Sequence, residues 1–375
     1  MTPSRLFRQP IVYVLFSLFF VAACAHKPRG LAGTSTKVDS ANRAARPILL
    51  FEEFFLPSEL HLFDHIKGAR KLLDARMVVG QPWAPDGRAF LFNDESSYRA
   101  ESVENYLTVF DLRSGETYEI DLLARPYSAF WSPNGRYLFY TLGTTVEPPL
   151  QLVLYDFMTK ENRILTEVLN ESVYFYLAGW SHDSQKVGFI TKLNGQFDAY
   201  SLQIDTLEMR QVTDDPEIEL HMQWSQTENE ILVGKSNETE EWVLFATDLR
   251  SINELEFVMA DGQAEPRRLA NFTYANSLDW SPDGQTIAYT NLNDGLCLLH
   301  VTEETVACPE IATLSADDYS FTIHSWSSDS AELAIRYTKR HEVSCWALGI
   351  VNIATLDVMD GSTLSCHNGL AYWNP

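Results

Sequence analysis

The sequence predicts an all-β chain folded as a seven-bladed β-propeller of four-stranded blades, on three observations. A tryptophan followed by a turn-forming segment recurs at Trp83, Trp131, Trp180, Trp224, Trp280 and Trp326, with spacings of 48, 49, 44, 56 and 46 residues. Each recurrence is followed by a short apolar run and then a second hairpin, so one period holds four short strands, the size of a propeller blade. The two ends of the chain supply the pieces of one further unit, and joining them closes the ring.

Residues 1–23 come first and read as an address. Arg5 and Arg8 precede an apolar stretch from Ile11 to Ala23, which is too short to span a bilayer comfortably but suits a secretory signal. Val21-Ala22-Ala23-Cys24 resembles the lipobox of bacterial lipoproteins, in which the cysteine is acylated and becomes the new N-terminus. The resemblance implies lipidation at Cys24, and Ala25 at the following position implies sorting to the outer membrane. Residues 24–46 are small, polar and aperiodic and read as a tether. They carry Lys27, Arg29, Lys37, Arg43 and Arg46 against Asp39, a net charge of +4.

Residues 47–375 hold the repeats. Trp83-Ala-Pro-Asp-Gly87, Trp131-Ser-Pro-Asn-Gly135 and Trp280-Ser-Pro-Asp-Gly284 are tight turns with a mechanism. Proline presets φ, and Asp-Gly or Asn-Gly tolerates the positive φ of a hairpin. Trp180-Ser-His-Asp-Ser184, Trp224-Ser-Gln-Thr-Glu228 and Trp326-Ser-Ser-Asp-Ser330 are weaker copies. Apolar runs such as Tyr137-Leu-Phe-Tyr140 and Ile287-Ala-Tyr289 then form second strands, and Leu107–Asp111 turning through Arg113-Ser-Gly115 into Tyr118–Ile120 forms the outer pair. The chain ends in Leu370-Ala-Tyr-Trp373, an innermost strand cut off at its turn. Pro47–Phe51, Leu60–Asp64 and Gly68–Leu72 match the second, third and fourth strands of the same blade. Six blades plus an N-terminal cap is the alternative.

These segments resemble the PD40 (WD40-like) repeats of the TolB-type β-propeller family over nearly all of residues 47–375, most closely at residues 131–141 and 280–290. Family members carry an additional α/β domain before the propeller, whereas only a short tether precedes it here. The resemblance implies a protein-interaction module of the cell envelope, without carrying over the role of TolB itself.

Four cysteines remain after Cys24. Cys297 and Cys308 flank a hairpin centred between Thr302 and Glu303, and Cys345 and Cys366 straddle a turn in the same way. Strand adjacency favours the pairs 297–308 and 345–366, and an exported protein meets an oxidising compartment. No CxxC or His-x₃-His spacing accompanies them, so no metal is expected.

Composition narrows function. Hydrophobic residues make up 45% of the chain, which excludes a wholly disordered protein. The formal charge is −23, and −29 for residues 47–375, which argues against nucleic-acid binding. Such a body repels anions and attracts cationic partners. No GxSxG, HExxH, P-loop or GxGxxG motif occurs, so no catalytic residue and no cofactor is assigned. His221 and His324 lie three and two residues before their repeat tryptophans and are candidates for the central channel.

In a propeller, loops joining second and third strands share a face with loops between blades. That face collects acidic and aromatic residues, and its binding candidates are Tyr174, Tyr176, Asp214, Asp215, Glu217, Tyr274, Asp317, Asp318 and Tyr319. Acids with aromatics suit a basic protein or peptide, or a stacked glycan. The expectation is a monomeric, lipid-anchored envelope module that binds a protein, peptide or glycan. The alternatives are a propeller enzyme such as a polysaccharide lyase, using a channel metal or histidine, and a structural subunit of an envelope complex.

Overall fold

The computed structural model describes residues 49–53, 59–65, 67–77, 79–94, 105–123, 128–142, 151–167, 175–193, 195–237, 252–261, 265–291, 295–311, 314–340, 346–360 and 368–375. The signal segment 1–23, Cys24, the tether 24–46, Tyr174, Cys345 and Cys366 lie outside the described residues.

The described strands form seven antiparallel blades. Blade 1 is built from both ends of the chain, in the order Asn368–Trp373, Leu49–Glu53, Glu59–Asp64, Gly68–Asp74 from the axis outward. Leu49 pairs with Trp373 on one side and Phe63 on the other, so the C-terminal strand is innermost, as the repeat arithmetic requires. Blades 3, 4 and 7 follow the plain four-strand order, with innermost strands Ser128–Trp131, Phe175–Trp180 and Tyr319–Trp326.

Two details depart from the simple repeat. Blades 5 and 6 are one continuous sheet. The 14-residue strand Arg267–Trp280 is outermost in blade 5 over its first part and innermost in blade 6 over its second, and Ala275 pairs with both Ile252 and Asn291. The segment has neither Pro nor Gly, so its backbone can run on as one strand, with register shifts where it changes partner. In blade 2 the innermost strand is split. Arg76–Met77 pairs within its own blade, while Val79–Gln81 pairs in parallel with Ser128–Trp131 of blade 3. Gly80 makes this approach possible. Its φ is +118°, and a Cβ there would lie 2.6 Å from the Ala129 carbonyl oxygen.

The repeated turns behave as their residues dictate. In five of them the last residue donates its N–H at 2.9 Å to the carbonyl of the residue that follows the tryptophan, the donors being Gly87, Gly135, Ser184, Gly284 and Ser330. All five have positive φ. The two serines carry a strain that the glycines avoid. Each has an offsetting contact: Ser184 Oγ accepts from Asn134 N at 3.0 Å, and Ser330 Oγ accepts from Asp283 N at 3.1 Å. The strained turns thereby tie neighbouring blades together.

The core lies between blades. All seven repeat tryptophans are buried. Trp131 packs with Leu91, Leu107 and Val109 of blade 2 and with Leu138 and Tyr140 of its own blade. Indole N–H groups also step around the ring. Trp131 donates to Pro82 O and Trp180 to Phe130 O, both at 2.9 Å, and Trp326 to Asp279 O at 3.1 Å. The acceptor is always the residue before the tryptophan of the preceding blade.

Candidate functional site

Two sets of polar residues stand out, one at the seam of blades 4 and 5 and one around the axis. The first lies on the face of the interblade loops. Lys235 ends the apolar run Ile231–Gly234 in the second strand of blade 5 and points to the same side as Ile231 and Val233, toward blade 4. Glu256 on the adjacent strand shares that side with Val258. Lys235 is only 2% exposed, and its ammonium pairs with the carboxylates of Asp215 and Glu256 and stands 4.0 Å from Glu219. A buried lysine is expensive unless paired. Burial works against its charged form, but the hydrogen bonds to Asp215 and Glu256 outweigh this and raise its pKa.

The carboxylates divide by environment. Glu219 is 1% exposed, and burial pushes its pKa up to about 8, so it holds a proton at neutral pH. Asp215 sits at the mouth with its carboxyl lowered. Burial opposes that shift, while hydrogen bonds from Glu217 and Lys235 drive it. Glu217 is raised, first by the hydrogen bond to Asp215 and then by burial. Asp198 of blade 4 is raised by burial, with Asp214 and Asp215 adding to the shift, and accepts from Gln211 Nε2 at 2.9 Å. Asp214 is exposed to solvent. Carboxylates from two blades thus meet beneath one loop, with a lysine fixed among them.

The second set lines the axis on the innermost strands, at the residue before the repeat tryptophan. Gln223 Nε2 donates to Asp279 Oδ1 at 2.8 Å, and Trp280 N donates to Gln223 Oε1 at 3.0 Å. Ser325 Oγ donates to Ala371 O, and Gly80 N donates to Tyr372 Oη at 3.3 Å. Desolvation raises Asp279 to about 7 and Tyr372 to about 12. His324 is pushed down to about 3 by burial, with the charge of Arg336 adding to it, and stays neutral.

The candidates read from the sequence are partly gathered. Asp214, Asp215 and Glu217 come together at the blade 4–5 seam, and Asp215 is committed to Lys235. Asp317, Asp318 and Tyr319 lie between blades 6 and 7, where Tyr319 packs edge-on against Tyr337 at 5.9 Å. Tyr176 and Tyr274, read as loop residues, fall within the strands Phe175–Trp180 and Arg267–Trp280. His221 and His324 are on blades 5 and 7, with blade 6 between them. Cys297 and Cys308 form the expected disulfide, with Cα atoms 4.1 Å apart. Lys235, Glu256, Gln223, Asp279 and Tyr372 were not anticipated. The available signal was a charge inside an apolar run, as in Ile231-Leu-Val-Gly-Lys235 and Leu255-Glu-Phe257.

No family model matches the chain, and no curated protein matches it in sequence. The fold is shared with solved structures. TolB from Acinetobacter baumannii is 13% identical with a TM-score of 0.53, covering 88% of this chain and 67% of that one. An oligogalacturonate lyase from Vibrio parahaemolyticus is 14% identical with a TM-score of 0.57, covering 84% and 86%. An oligogalacturonate lyase in complex with manganese is 12% identical with a TM-score of 0.56, covering 85% and 86%. At these identities the likeness is one of fold. Among the described residues no three His, Cys, Asp or Glu side chains are placed to share a metal ion, and the carboxylates around Lys235 already hold an ammonium. The described residues therefore do not fit a manganese site.

Proposed function

We propose that the chain is a lipid-anchored envelope protein whose propeller binds a cationic protein or peptide partner on the face of the interblade loops. The carrying observation is that Asp214, at the seam of blades 4 and 5, and Asp318, between blades 6 and 7, are both exposed on that face. The charge of −29 on residues 47–375 supports it by steering cations toward the body. The lipobox-like segment ending at Cys24 supports the anchor, and the fold shared with TolB supports a binding module.

In-cell crosslinking of the anchored protein tests the reading. One dominant partner is expected, and its capture should fall when Asp214 and Asp318 are both changed to Lys. Asp215 is unsuitable for charge reversal, because it would lose Lys235. Recovery of the chain alone would defeat the reading, and Cys24→Ser should move the protein out of the membrane fraction.

A second reading is catalysis in the channel, supported by Asp279 with its pKa near 7 and by the fold shared with oligogalacturonate lyases. The acidic body opposes a polyanionic substrate. Release of unsaturated product from oligogalacturonate by the purified chain, abolished in Asp279→Asn, would favour it.

A further inference from the structure

A cavity of about 230 Å³ opens between blades 6 and 7, and its lining includes none of the residues of the Lys235 cluster. Leu296, Ile311, Leu314 and Phe321, all buried, lie at its base, while most of its accessible surface is polar. Glu310 and Asp317 line it as well, and both are exposed. Among the described residues no cation pairs with either carboxylate.

The wall is built rather than incidental. Cys308 lines the cavity and is bonded to Cys297, which is buried in the blade 6 core. Leu314 N donates to Ile311 O at 3.0 Å, and Tyr319 N donates to Ser315 O at 2.9 Å. From blade 7, Arg340 Nε donates to Ala316 O at 2.7 Å and Arg340 N to Asp318 O at 2.9 Å. At Gly295 a Cβ would lie 2.9 Å from Ala316 Cβ, so only glycine lets the wall come this close. The wall is therefore pinned by a disulfide at one end and by Arg340 at the other.

A mostly polar cavity with a small apolar base and two exposed carboxylates suits a cation carried on a short apolar stem. A long basic side chain lays its methylenes on the floor and its head against the acids. Arginine fits better than lysine, because its planar fork pairs with a carboxylate through directed, charge-assisted hydrogen bonds and its five donors suit a mostly polar lining. We propose that this cavity seats an arginine side chain of the partner, so that recognition is of an arginine-bearing segment. The inference rests on the binding function proposed above and adds the chemistry of the partner's anchor.

The test uses the detergent-solubilised mature chain, methyl-labelled at Ile and Leu. The probe is acetyl-arginine methylamide, and its citrulline analogue, which has the shape without the charge, is the control. Saturable shifts at the Ile311 and Leu314 methyls are expected with the arginine probe. Binding should be at least tenfold weaker with citrulline, and likewise in Glu310→Gln/Asp317→Asn, whose exposed sites leave the fold intact. Absence of shifts, or equal binding of both probes, overturns the proposal. In cells, undiminished partner capture by the double variant would overturn the pocket while leaving the binding function standing. If the wild-type chain captures nothing, the functional reading falls and this inference with it.

Discussion

The indole Nε1 of Trp83 donates to the backbone carbonyl of Tyr372 at 2.9 Å, joining residues 289 positions apart in sequence. This is the same step that links Trp131 to Pro82 and Trp180 to Phe130, now made across the junction of the two chain ends. The ring is closed by the contact that repeats inside it.

Closure can be weakened in stages. Trp83→Phe removes the hydrogen bond and should cost about 1 kcal/mol. Trp83→Ala also empties the seam and should cost about 3–5 kcal/mol. Removing residues 368–375 strips blade 1 of its innermost strand and should abolish cooperative unfolding. Urea denaturation followed by tryptophan fluorescence orders the three, and a truncated chain as stable as the full one would refute the closing role of that strand.

Stability should fall as pH rises from 6.5 to about 8. Glu219 titrates near 4.5 when unfolded and about 8 when folded, so the folded chain holds the extra proton in that window and loses its advantage as pH climbs. Asp279 acts in the same sense between 3.8 and about 7. His324, lowered to about 3 from 6.5, acts in the opposite sense, but only below 6.5. Thermal midpoints across this range should therefore decline, and Glu219→Gln should remove most of the decline above pH 7. An unchanged slope in that variant would place the proton elsewhere.

Lys235→Met should destabilise by about 3–5 kcal/mol, since it strands Glu256 and Asp215 at the seam without their cation. Adding Glu256→Leu should recover part of the loss, because an apolar pair replaces a half-broken ionic one. Chemical denaturation of the two variants decides it. Equal stability of single and double variants would mean that the carboxylates relax into water.

The Cys297–Cys308 disulfide closes a short loop, with a sequence separation of 11. Chain-entropy arguments put its contribution at about 3 kcal/mol. Cys297→Ala/Cys308→Ala should lower stability by that order, and a reductant should then have no further effect through this pair. A variant as stable as the parent would show that the outer hairpin of blade 6 holds without it.

What could be read from the sequence followed from local chemistry. Pro-Asp-Gly after tryptophan names a turn wherever it stands, so the blades at Trp131 and Trp280 were plain. The terminal blade was legible because Pro47–Phe51 lacked the tryptophan strand that Leu370–Trp373 supplied. The fusion of blades 5 and 6 was not legible, because a strand that changes partners midway looks like one long strand or two short ones until its register is known. The Lys235 cluster was hidden for a related reason. Lys235 and Glu256 are 21 residues apart, and only pairing of Val233 with Glu256 sets them on one side of one sheet. Asp214, Asp215 and Glu217 were visible as a loop, but their buried counter-charge was not.

Blade 1 also fixes an order of events. Its second, third and fourth strands leave the ribosome early, yet the strand that covers Leu49 and Phe51 on the axial side is Asn368–Trp373. Until Trp373 has emerged, those residues are paired only on their outer side, with Phe63 and His61, and Trp83 has no Tyr372 carbonyl to meet. A chain built this way closes its ring only once the strand Asn368–Trp373 has been made.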